Sequence, residues 1–356
     1  MKHRTISILV LAVLFVFFVF PAVSYAEDNI AEVPNTKVII NGQNIVFDDV
    51  IISSKGRTLL PLRALLTSLG VQNDDDHIIW NSKEKSVTII KDSTKVKLYS
   101  GRDTAYLNDV PIKLDVPPLI YSKNNRTYIP VRFVAQSLGK IVNWDDTTKS
   151  VFIDDPKLVT VSTADELVAA IDSDTKIILK EGVYNLSKVK QEYSENNAFW
   201  ESVFDGNQLI IKGVKNLTLE GEGDASAEIV VEPRYADVFS FRECSNIGIR
   251  NIKAGHTPEQ GECAGGVLAF ERSNDINISK SELYGCGIEG LTLHDTNNLM
   301  FVNSAIYNCN SAIMNLYNSK DISFYQSRFY DNEVYFSGII AIDNCSLTFD
   351  DCDFTN

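Results

Sequence analysis

Cysteine is scarce in this chain, with six among 356 residues. That is too few for a disulfide scaffold in a chain of this length. Basic residues are short as well: 33 Lys and Arg stand against 47 Asp and Glu, for a formal charge of −14. Such a surface repels nucleic acid and other polyanions unless cations intervene, which excludes a nucleic-acid partner. Long apolar runs are absent beyond Phe20. The one at the start, Ile6 to Phe20, has fifteen uncharged residues, short of the roughly 20 that a membrane span needs. Lys2 and Arg4 precede it, and the small residues Ser24 and Ala26 follow it, so residues 1–26 read as a signal peptide cut after Ala26. An uncleaved anchor is the alternative. No cysteine follows the run, so a Cys-acylated lipoprotein anchor is not indicated. Cleavage would remove two cations and no acid, taking the formal charge from −14 to −16. A secreted or cell-surface bacterial protein is expected, not integral to the membrane after cleavage.

What is present is repetition. Residues 38–90 hold "VIINGQNIVF", "GRTLLPLRALLTSLG" and "IIWNSKEKSVTII"; residues 105–154 hold "AYLNDVPIKL", "NRTYIPVRFVAQSLG" and "IVNWDDTTKSVFI". Arg57 and Arg126, Pro61 and Pro130, Arg63 and Arg132, and Gly70 and Gly139 pair at an offset of 69, Trp80 and Trp144 at 64. This is an internal duplication. Each copy reads as β, β, α, β. Asn41-Gly42 and Asn108-Asp109 are hairpin turns. Prolines open the helices and glycines end them. Leu62, Leu65, Leu66 and Leu69, and Val131, Val134 and Leu138, make the buried faces. Each tryptophan is expected to close the core from the last hairpin. The four arginines read as salt-bridging braces rather than an anion site, and His77 as solvated rather than ligating.

These motifs resemble the copper amine oxidase-like N-terminal domain, the stalk module of exported bacterial proteins, in tandem over residues 36–155 (36–92 and 103–155). The resemblance implies a small α+β stalk. It implies neither copper nor amine oxidase activity, since that family's metal and quinone chemistry belongs to a separate catalytic domain.

From residue 158 the pattern changes. "TADELVAAI" opens on a capping box, Thr163 to Glu166, and predicts a short helix near 163–171 that covers the end of a solenoid. Leu217, Ile247, Ile276, Leu299, Ile322 and Leu347 then share one phase, at offsets of 30, 29, 23, 23 and 25 along the chain. Apolar and polar residues alternate within each step, as in strands with one buried face. Three short strands per coil with Asn, Asp, Ser and Gly corners give a right-handed parallel β-helix over 158–356, similar to the pectin lyase-like solenoids. The chain is therefore expected to be mostly β.

Cys263, Cys286 and Cys309 fall in one column and read first as a buried, turn-filling ladder, with a disulfide between stacked members left open. Cys352 shares a column with Ser281, Ser304 and Ser327 and reads as the same kind of filler. Chemistry has two candidate places. Glu271 and His294 share an outward column and Arg272 and Asp295 the next, a grouping suited to acid-base work on a sugar or to a solvated polar ladder. The insertion "AGHTPEQGEC" carries His256, Glu259 and Glu262 and reads as a surface loop or a ligand site. Tyr284, Tyr307 and Tyr330 offer stacking faces if they point outward. The carboxylate motifs of sugar-cleaving β-helix enzymes are not visible. The reading is thus a surface protein whose coil binds a polysaccharide or another envelope component, with a polysaccharide lyase, epimerase or hydrolase as the alternative. No cofactor is implied; calcium is left open by Asp350, Asp351 and Asp353. The last rung, "CSLTFDDCDFTN", shows no capping helix or covering loop, which leaves two readings open: the chain is a fragment, or that end associates with another subunit.

Overall fold

The turns and the apolar periods above carry directly into the computed structural model, which describes residues 30–190, 197–223, 227–257, 264–285, 289–333 and 340–355. The leader, Glu259, Glu262, Cys263 and Cys286 lie outside the described residues.

In the N-terminal half, Asn41 and Gly42 both take positive φ, as do Asn108 and Asp109. Each pair joins a tight hairpin: Ile40 faces Gln43, and Leu107 faces Val110. Helices α1 (Leu62–Ser68) and α2 (Val131–Ser137) start after Pro61 and Pro130. They stop before Gly70 and Gly139, whose φ values of +80° and +78° are the left-handed ends expected. The two copies do not fold side by side. Strand Arg57–Pro61 runs antiparallel to Arg126–Pro130, with Leu60 opposite its own counterpart Ile129. Strand Ser150–Asp154 pairs with Lys37–Ile40, so the last hairpin of the second copy completes the sheet begun by the first. One core contains residues of both, from Val38 to Ile153. The tryptophans depart from expectation. Trp80 and Trp144 face Val87 and Val151 but stand 40% and 43% exposed. Their strands, Ile78–Asn81 and Ile141–Asp145, are the outermost of their sheets, which leaves the rings partly open to solvent.

Among the described residues the C-terminal half winds three sheets, parallel apart from one opening hairpin, around a separate core. Sheet I has eight strands from Lys157–Val161 to Leu347–Asp350. Sheet II has seven, from Gly182–Asn185 to Asp353–Thr355. Sheet III also has seven, from the hairpin Ala198–Val203 and Gly206–Lys212 to Ile340–Asp343. Leu299 lies between Ile276 and Ile322, as the regular step requires. The phase continues through Leu217, Ile247 and Leu347. Helix α3 (Ala164–Ala170) buries Leu167 in this core. Thr163 accepts from the Glu166 N–H, while the Glu166 carboxylate accepts from the N–H of Ser162, one residue earlier than a simple capping box.

Small polar residues hold the corners. The Ser281, Ser304 and Ser327 hydroxyls accept the N–H groups of Ile252, Ser281 and Ser304 at 3.2, 3.0 and 3.3 Å. They satisfy donors that the turn would otherwise orphan. Cys352 continues the column, its thiol directed to the Asp350 carbonyl. At another corner the Asn332 amide oxygen accepts from the Cys309 N–H at 2.9 Å. Cys309 is fully buried and disulfide-bonded.

Candidate functional site

Register places the outward residues of sheet III in columns. One runs Arg242, Glu271, His294, Tyr317 and Asp343. Glu271 and His294 are therefore neighbours, as expected, and both are engaged. Arg272 donates to Glu271 and, at 3.2 Å, to Glu243. Arg242 lies 3.6 Å from Glu271 and binds Glu201 through two 2.8 Å bonds, the fork geometry that makes such pairs strong. The His294 Nδ1 is 2.9 Å from Asp295, and its ring stacks on Tyr317 at 4.8 Å. Arg272 and Asp295 occupy left-handed corner positions, with φ of 47° and 49°. Asp295 also accepts from Asn318. Four groups of acid, imidazole and cation thus meet at one edge of the sheet, each with a partner.

The tyrosine column lies on sheet II. Tyr284 and Tyr307 are 5.8 Å apart at 19°, and Tyr307 and Tyr330 are 4.8 Å apart at 8°. The rings stack on one another, and Lys253 sits over the near face of the column at Tyr284. Their hydroxyls donate too: Tyr284 to Glu228 at 2.6 Å and Tyr307 to Glu282 at 3.0 Å. A sugar would meet ring edges more than ring faces.

His256 is not on a surface loop. It is the last residue of strand Ile252–His256, opposite Val231, and is 5% exposed. Its Nε2 lies 2.8 Å from the Ala236 carbonyl. Burial holds the imidazole below its ordinary value. The insertion leaves the strand only after His256, because the ladder continues through Thr257, whose N–H donates to Val231.

The other end of sheet III holds a pair that the sequence reading passed over. Asp237, Gly266 and Glu289 follow one another in a column two residues before Phe239, Leu268 and Leu291. The Gly266 N–H donates to Asp237 at 2.8 Å. A side chain at Gly266 would begin 3.2 Å from that carboxylate and 2.7 Å from the Glu289 carbonyl, so glycine keeps a notch open between the acids. Burial raises the Asp237 carboxyl above its ordinary range, against the pull of the Gly266 N–H. Burial also pushes Glu289 up to about 7, helped by the charge of Asp237 and opposed by Asn315. Between the two edges runs a strip of small and polar groups: Ser240, Ala269, Thr292 and Asn315. Phe204 and Tyr235 form a tilted pair, centroids 5.0 Å apart at 52°, near the hairpin that begins the sheet, and are 86% and 40% exposed.

Residues 39–153 match the family described as copper amine oxidase N-terminal domain, and residues 195–354 match the right handed beta helix region. The chain joins these two domains. Among solved structures it is similar to an alginate lyase from Paenibacillus sp. str. FPU-7, at 14% identity and a TM-score of 0.39 over 56% of this chain and 66% of that one. It is likewise similar to a pectate lyase from Paenibacillus sp. 0602, at 9% identity and a TM-score of 0.37 over 56% and 78%. No curated protein matches it.

Within the copper amine oxidase N-terminal domain two of the arginines act between copies: Arg57 binds Asp115 at 2.7 Å and Arg126 binds Asp49 at 3.1 Å. Arg63 donates to Asn73 at 2.9 Å. His77 bonds to Asp74 at 2.7 Å. Among the described residues of either domain, no group of three or more His, Cys, Asp or Glu is placed to hold a metal ion.

Proposed function

We propose that the β-helix is an envelope or extracellular domain that binds a polysaccharide along the outer strip of sheet III, displayed by the copper amine oxidase N-terminal domain. The observation that carries this reading is the strip itself, with hydroxyl, amide and carboxylate groups in register on a flat wall and an exposed aromatic pair near one end. Such a mixture suits a hydroxyl-rich polymer, with acceptors and donors for orientation and aromatic rings for sugar faces. The test is retention of the full chain on a panel of neutral polysaccharides, with Ala269→Trp as the blocking variant. Binding should fall at least about tenfold in the variant, the cost of one lost anchoring contact. A chain that binds none of the panel, or a variant that binds as well as the parent, overturns the reading.

A second reading, hydrolysis, is favoured by the Asp237–Glu289 notch. Main chains two rungs apart are roughly 9.6 Å distant, a spacing of the order used when a water attacks a sugar opposite the departing group. Glu289 would give its proton to the glycosidic oxygen as that bond breaks. Asp237 would take a proton from the water whose oxygen bonds to the anomeric carbon. Turnover would then decline as pH rises through about 7, where Glu289 loses its proton. Glu289→Gln should abolish turnover and leave binding intact.

A further inference from the structure

A different face of the coil carries a second feature. Between sheets I and II lies a groove of about 260 Å3, bounded by Lys280, Glu282, Asn303, Ala305, Gln326 and Arg328. Its origin is one short residue. Glu282, Ala305 and Arg328 are consecutive in an outward column, so a methyl group stands where its neighbours have long side chains. Ala305 is only 2% exposed, since those neighbours rise on either side of it. Lys280, Asn303 and Gln326 form the adjoining corner column, with left-handed φ of 51°, 48° and 48°.

The charges are the second observation. Several outward cations of the coil meet carboxylates: Lys176 with Glu220, Lys188 with Glu232, Arg242 with Glu201, Lys253 with Glu228. Those that do not among the described residues, such as Lys215, Arg250 and Lys320, are exposed and lie outside this groove. Lys280 and Arg328 form no ion pair among the described residues. The Arg328 guanidinium lies 5.7 Å from the Tyr330 ring centre, a contact that leaves its fork available for bidentate bonds. Glu282, the acid of the groove, accepts from the Tyr307 hydroxyl at 3.0 Å. Gln326 donates to Asp351 at 3.3 Å, so Asn303 is the neutral donor at hand. On a chain of formal charge −14, an anionic polymer is repelled in general and accepted only where local cations reverse the field.

We propose that this groove binds an oxyanion carried by a glycan, with Arg328 gripping two oxygens, Lys280 adding a point charge and Ala305 providing the room. A uronate carboxylate and a phosphodiester phosphate share that chemistry. The site is independent of the sheet III reading: it would orient an acidic chain along the coil whether or not sheet III binds a neutral one.

The experiment is calorimetric titration of the full chain with inorganic phosphate, with glucuronate and with glucose, at low and at physiological salt. Both anions should bind and glucose should not, with affinity falling as salt rises. Arg328→Ala should weaken anion binding about tenfold or more, the loss of a charge-assisted bond. Lys280→Ala should weaken it less, and Arg328→Lys should restore part. Ala305→Leu should abolish binding by filling the groove; should that variant unfold, the surface variants still decide. Tighter phosphate assigns the site to phosphate-bearing polymers, and tighter glucuronate to uronates. A parent chain that binds neither anion at low salt, or Arg328→Ala and Lys280→Ala variants that both bind like the parent, overturns the proposal. Ala269→Trp, the sheet III block, should leave this titration unchanged, which separates failure here from failure there.

Discussion

Leu60 lies opposite Ile129, its own counterpart in the duplication, while Leu299 lies between Ile276 and Ile322, its counterparts on either side. Both halves of the chain repeat a unit, yet the N-terminal half meets itself about a local two-fold and stops. The C-terminal half meets itself by translation and continues. In the first case each copy lends strands to the sheets of the other, so the duplicated residues are absorbed by caps, turns, cross-copy ion pairs and a shared core. In the second, the inward columns are fixed by stacking and the outward ones are free to vary from rung to rung. That freedom is why Gly266 can open a notch in one column and Ala305 a groove in another.

The comparison breaks most visibly under core truncation. Phe301 is fully buried and packs against Phe324 at 5.7 Å and Phe329 at 6.3 Å. Phe301→Ala should cost about 3–5 kcal/mol. Because the two cores are separate, hydrogen exchange should show the loss throughout the coil strands while the duplicated domain keeps its protection. Equal loss in both halves would mean that they unfold as one unit and that the contrast drawn above is only topological.

The next effect belongs to Glu289. Its carboxyl is raised from 4.5 to about 7, so between those values the native chain holds a proton that the unfolded chain has released. Stability must then fall as pH rises through that window, by at most about 3 kcal/mol. Glu289→Gln should remove the fall: equal to the parent in acid, more stable above pH 7, as read from urea midpoints. A parent whose midpoint does not decline relative to the variant would show that the notch is wetter than it looks. No matching effect is expected in the duplicated domain.

Much of this was legible in the sequence. A constant step between like residues identifies stacked partners without any structure, and Leu268, Leu291 and Met314 align as counted. Glu271 beside His294 followed from the same counting. Asp237 and Glu289 were within reach of it too, two places before Phe239 and Leu291, but an isolated acid beside an apolar run carries no motif, and burial is a property of the fold. His256 misled because insertions are read as loops from their composition, while the ladder held its backbone for one residue more. The tryptophans misled because pairing them between copies revealed a shared role but not that their strands end the sheets.

Smaller is the contribution of the coil's entry. Thr163 accepts from the Glu166 N–H at 3.2 Å at the start of α3, and Thr163→Ala should cost about 1 kcal/mol. If the short helix seals the first coil, that loss should appear as faster exchange in Thr175–Leu179, the strand beside it, and nowhere in the duplicated domain. Unchanged exchange there would reduce the helix to an appendage.

The smallest effect tests whether the local two-fold holds in energy as it does in pairing. Arg57–Asp115 and Arg126–Asp49 are counterparts across the axis, but their settings differ. Asp115 is 64% exposed and Asp49 only 16%. Exposed pairs contribute roughly 0–1 kcal/mol and are screened by salt, so Arg57→Ala should be close to neutral. Asp49 is more shielded from water, and removing its cation leaves a less hydrated carboxylate with the neutral Asn124 amide, 3.2 Å away, in place of a charge. Arg126→Ala should therefore be the more costly of the two, and the less sensitive to added salt. A double-mutant cycle on each pair isolates the term from lost packing along the arginine stem. Equal coupling energies would mean that the duplication is symmetric in energy too; a larger value for Arg57 would mean that the exposure of the acids does not set the strength of the cross-copy braces.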